Sequence, residues 1–70
     1  MEINRSLLEQ SIGKTVFAFY KEYERECRII GVLNGYNETG ISIQTEKNIV
    51  CLDFAQILKF KIKLRGNLND

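Results

Sequence analysis

Four cations alternate with apolar residues towards the end of the chain: Lys59, Lys61, Lys63 and Arg65, interleaved with Leu58, Phe60, Ile62 and Leu64. On a strand, residues two apart share a face, so the cations form one row and the apolar residues the other. Neighbouring cations then stand roughly 6.8 Å apart, at about 3.4 Å per residue. No acid interrupts the run, and a ladder of this kind can follow successive phosphates. If all four engage a single-stranded polyanion, log K falls against log salt with a slope of about −2.8. The same row also serves as a solvated face whose lysines block stray edge pairing. The second cluster is Asn34, Tyr36, Asn37 and Thr39, in a turn-rich stretch. A ring beside amides can stack a base while the amides bond its edge. Equally, Tyr36 can cap the fold while the asparagines shape the turn.

Other chemistry is poorly served. The chain of 70 residues contains no histidine, which removes Ser-His and Cys-His nucleophile pairs and the usual base near pH 7. Glu22, Glu24 and Glu26 sit in a charged, solvated segment. The sequence therefore predicts no enzyme and no cofactor. Cys27 and Cys51 form no CxxC, so no metal site is expected. They read as reduced thiols of a cytoplasmic protein, and a disulfide between them requires neighbouring strands. Gly13-Lys14-Thr15 lacks the earlier glycine of a phosphate loop, since Leu8 holds that place. No run approaches 18 apolar residues, and MEINRSLLEQ has no signal-peptide character. A membrane partner is not expected. Ten Lys and Arg against nine Asp and Glu give +1. The excess is local: residues 1–53 hold six basic and eight acidic side chains, residues 54–70 four and one. Such asymmetry marks an anion-facing surface.

The elements that position these residues follow from periodicity. At this length a single domain over 1–70 is expected. Ile3, Leu7, Leu8 and Ile12 fall on one helical face, predicting a short helix over about 3–12. Ser6 with Glu9 fits a capping box, and Asn4 is the alternative cap. From Thr15 the period becomes two. Strands are predicted at about 15–21, 26–34, 40–45, 49–53 and 57–65, with a bend or bulge at Gly31 and a short turn at Phe54–Gln56. Phe17 and Phe19 share one face of the first strand, and Val16, Ala18 and Tyr20 the other. Only one face can point inward, and the surplus favours self-association. One helix followed by five short strands predicts a mainly β chain rolled into a small barrel.

The spacing of Gly13-Lys14-x-Val16, Gly31-Val32-Leu33-x-Gly35-Tyr36-Asn37, Ile41/Ile43 and Asp53-Phe54-Ala55-Gln56-Ile57 resembles the Sm-like small barrels, most closely the C-terminal domain of the ribosome maturation factor RimP. The resemblance covers about residues 5–64. It implies a short helix ahead of a five-stranded, strongly bent barrel and an association with RNA or the ribosome. Where RNA-binding members place an Asp and, four residues on, an Asn, this chain has Asn37 and Ile41. Arg65-Gly66-Asn67 matches the family's second motif in type, but it follows the fifth strand.

Together these features predict a non-enzymatic, homo-oligomeric binding module for RNA or a small nucleotide. Asn34, Tyr36, Asn37 and Thr39 would meet the base, and Lys59, Lys61, Lys63 and Arg65 the phosphates. Two alternatives use the same scaffold. One is a phage-type sponge that sequesters a cyclic-nucleotide defence signal between subunits. The other is a protein–protein adaptor without a nucleotide.

Overall fold

The computed structural model describes residues 3–63. Arg65, Leu64 and the Arg65-Gly66-Asn67 triplet lie outside the described residues. The elements run α1 (Arg5–Ser11), β1 (Thr15–Glu22), β2 (Arg25–Tyr36), β3 (Gly40–Gln44), β4 (Ile49–Asp53), a 3₁₀ turn (Phe54–Gln56) and β5 (Ile57–Ile62).

Seven residues are too few for a helix to persist alone, so α1 depends on its docking. Asn4 is the cap, its Oδ1 accepting the Ser6 N–H at 2.7 Å. Leu8 enters the core, with Ile3 and Leu7 packed beside it. Ser11 is also buried, and its hydroxyl donates to the Leu7 carbonyl at 2.6 Å. Burying that hydroxyl therefore strands no donor. Ile12, expected on the apolar face, instead ends the helix with ψ 128° and is exposed. Ser11 takes the inward place. Gly13 then adopts φ +83°, a left-handed position suited to glycine. Its N–H donates to the Leu33 carbonyl at 2.9 Å, and the Leu33 N–H donates to the Lys14 carbonyl at 3.0 Å. The helix exit is thus fastened to β2.

The five strands form one antiparallel sheet in the order β4-β3-β2-β1-β5. β4 and β5 lie at opposite edges, yet only the 3₁₀ turn joins them. Laid flat, four strand spacings would separate those edges by about 19 Å. The chain from Asp53 to Ile57 reaches about 14 Å even when fully extended. The sheet must therefore curl until its edges approach at the turn. Gln56 fixes the crossing: its Oε1 accepts from the Asp53 N–H at 3.0 Å, and its Nε2 donates to the Lys21 carbonyl at 3.1 Å. Among the described residues no β4–β5 ladder is paired.

Inside the curl lie Leu8, Val16, Ala18, Leu33, Ile41, Ile43, Leu52, Ile57 and Phe60. β2 pairs with β1 through residues 25–32 and with β3 through residues 32–36. Gly31 sits at that change of partner. A Cβ there would stand 2.5 Å from the Gln44 carbonyl oxygen and 2.7 Å from Ile43 Cγ2. Glycine is needed for this close approach of two backbones. The register shift itself falls three residues on, between Leu33 and Gly35, leaving Asn34 as the extra residue.

Candidate nucleic-acid interface

Directly opposed residues of an antiparallel pair share a face. The registers therefore lay out three rows across the outside of β2, β1 and β5. Arg28 and Lys59 flank Phe19, and Ile30 and Lys61 flank Phe17. Val32 flanks Thr15, and the Lys63 N–H donates to the Thr15 carbonyl at 2.8 Å from the other side. β1 thus sends its small residues Val16 and Ala18 into the core and its two phenylalanines outward, where both are half-buried. Ile30 and Val32 are 45% and 40% exposed on the same face.

Lys59 and Lys61 are solvent-exposed, as is Lys63. Among the described residues none of the three is held in an ion pair. Lys59 Nζ lies 6.0 Å from the centroid of the Phe19 ring, at the outer limit of a cation–π contact. A bulge sets this orientation. Phe19 pairs with Lys59, but Tyr20 pairs with Ile57. Leu58, expected inward beside Phe60 and Ile62, is the skipped residue and is 48% exposed. Ile57 fills the core in its place.

The second cluster lies elsewhere. Tyr36 ends β2, with its ring against the core and Glu9 of α1 near its phenol. Desolvation first, then the nearby Glu9, raise its pKa above the ordinary 10.0. Asn37 Oδ1 accepts three bonds: from Thr39 N at 2.8 Å, Thr39 Oγ1 at 2.9 Å and Gly40 N at 3.0 Å. The Thr39 carbonyl accepts the Phe54 N–H at 2.9 Å. Asn37 and Thr39 therefore build the β2–β3 turn and anchor the 3₁₀ segment to it. Asn34 is exposed at its bulge. A cavity of about 370 Å³ beside Tyr36 is lined from α1, this turn and Phe54, without any residue of β5. The lining of that cavity includes none of Lys59, Lys61 and Lys63.

A larger open groove of about 820 Å³ adjoins the lysine-bearing face. Thr15, Ile30 and Val32 form one wall, Gly31 lies between them, and Gln44 to Lys47 form the other. Sequence patterning does not locate this groove, because the change of partner in β2 creates it. The outward phenylalanines are half legible. Alternation separates Phe17 and Phe19 from Val16 and Ala18 but leaves open which pair turns inward.

Tyr20 also titrates above 10.0, from burial and then the nearby Cys27 and Glu22. Among the described residues no group of three or more His, Cys, Asp or Glu is placed to hold a metal. No helix there is long and apolar enough to cross a membrane. No family model, curated protein or solved structure matches the chain.

Proposed function

We propose that this chain is a non-enzymatic, Sm-like binding module for RNA or nucleotide ligands, acting in the cytoplasm as a homo-oligomer. One observation carries the reading. Lys59, Lys61 and Lys63 stand in a row on an outer face, free of acidic partners among the described residues and beside two half-buried aromatic rings. Cations meant only for solvation need no aromatic neighbours. Cations paired inside the molecule would be unavailable to a ligand. The order of a short helix and five strands, with a 3₁₀ turn before the last, also suits the Sm-like resemblance.

The test is equilibrium binding to a labelled single-stranded RNA across a salt series. Three lysines predict a log–log slope of about −2.1 from this row, equal to an 18-fold loss between about 50 and 200 mM salt. Each Lys→Gln change should flatten the slope by about 0.7. Slopes that ignore all three substitutions would remove the row from the site. A thermal-shift panel of single-stranded RNA and cyclic dinucleotides, with native mass measured alongside, separates the ligand classes. A ligand at 100 times its Kd stabilises by about 2.7 kcal/mol.

A further inference from the structure

Resting on that reading, we infer that the outer face binds an extended single strand of nucleic acid, three nucleotides at a time, with bases on Phe19, on Phe17 and in the groove beside Gln44. The rows give the register. Phe19, Phe17 and Thr15 follow one another along β1, and each lies beside one lysine: Lys59 and Lys61 of β5, and Lys63 just past its end. One base position is thereby matched to one cation. Successive positions are two residues apart, about 6.8 Å along the strand. Bases within a duplex strand repeat at about 3.4 Å. Neighbouring bases on this face are accordingly splayed, each with its own platform, a spacing that a stacked duplex does not offer. Half-buried rings with flanking cations are the usual means of holding unpaired bases.

Lys59, Lys61 and Lys63 on one side of β1, and Arg28 beside Phe19 on the other, offer phosphate contacts along both flanks of the rings. The third base, over Thr15, enters the groove at Val32 and Gln44, which are register partners. Glu46 and Lys47 stand together at the far rim, so that wall carries no net charge. Thr45 cannot read that base. Its hydroxyl is engaged with Asn48 and accepts from Lys47 N. The Gln44 side chain is exposed and makes no hydrogen bond among the described residues. Its amide can both donate to and accept from the open edge of the base that lies there.

The experiment uses fluorescence anisotropy of the whole chain with three probes: a short single-stranded RNA, the same RNA as a duplex, and inorganic polyphosphate. Phe17→Leu combined with Phe19→Leu should weaken single-strand binding roughly tenfold or more while leaving polyphosphate affinity unchanged. Phe17→Tyr and Phe19→Tyr, which keep a stacking face, should bind as the parent does. If the double leucine variant does not fold, Phe17→Leu and Phe19→Leu made singly are the test, and each should weaken single-strand binding while leaving polyphosphate affinity unchanged. Gln44→Ala should weaken single-strand binding about fivefold while leaving polyphosphate affinity unchanged. Equal binding of single strand, duplex and polyphosphate would overturn this inference while leaving the lysine row as a general anion site. Binding of a cyclic dinucleotide in preference to the single strand would also overturn it. Failure of every polyanion would overturn the proposed function itself.

Discussion

Replacing Gly31 by alanine tests the link between the bend and the face it supports. The new Cβ would stand 2.5 Å from the Gln44 carbonyl oxygen, 2.7 Å from Ile43 Cγ2 and 3.1 Å from the Gln44 carbonyl carbon. Such atoms essentially never approach below 3.0 Å, so β2 and β3 must part by at least about 0.5 Å, an overpacking that costs about 1–3 kcal/mol. Parting also weakens the backbone pairing around Val32 and Gln44, at about 1 kcal/mol per hydrogen bond. The expected loss is about 3 kcal/mol. For 70 residues the whole stability is of order 3.5–10 kcal/mol, and the melting temperature should fall by about 12–24 °C. Gly35→Ala is the control, because its Cβ would meet only Ser42 Oγ at 3.7 Å. That change should stabilise by about 0.4–1 kcal/mol through the unfolded chain. Urea denaturation of both variants reads the difference directly. A Gly31→Ala protein within about 0.5 kcal/mol of the parent would refute the close-approach argument, since overpacking of this kind costs more.

Further outcomes follow from the same contacts. Asn37→Ala removes the acceptor of three turn bonds and should cost about 2 kcal/mol in denaturation, with RNA affinity at saturating fold unchanged. Leu33→Ala, at a fully buried position, should cost about 2–5 kcal/mol, read by thermal melting. Both cysteines are free, so a thiol reagent should titrate both without reductant, exposed Cys51 ahead of half-buried Cys27. Spectrophotometric titration should show Tyr20 and Tyr36 ionising above 10.0, and Tyr36→Phe should delete one of those late phenols. Because both folded pKa values are raised, their stabilisation is complete below pH 10 and lost as pH climbs through the folded values.

Periodicity carries much of this architecture. The strand limits at 49–53 are the same from sequence and structure, the first three strands differ by one or two residues at their ends, and the expected fifth-strand end at 65 lies outside the described residues. The bends were harder to place for a physical reason. A change of strand partner depends on two backbones meeting, so Gly31 signals closeness while the register slips at Asn34. The facing of Phe17 and Phe19 depends on what fills the core. Ala18 lies opposite Phe60, whose buried ring fills the space that a second ring on β1 would need. Tyr36 and Asn37 carry the same letters whether they serve a ligand or a turn. Only the Glu9 contact and the three turn bonds show what occupies them here. Cys27 and Cys51 lie on β2 and β4 with β3 between them, an order that pattern alone does not give.

The skipped position in β5 makes that strand unevenly tolerant of losing a residue. Removing Leu58 would leave Ile57 opposite Tyr20 and Lys59 opposite Phe19, an uninterrupted zigzag with every lysine still turned to water. Removing Phe60 instead would invert the parity of one flank, driving a lysine towards the oily interior or Ile57 out of it. The strand thus carries one spare link, placed where the chain arrives from its crossing, and none farther along.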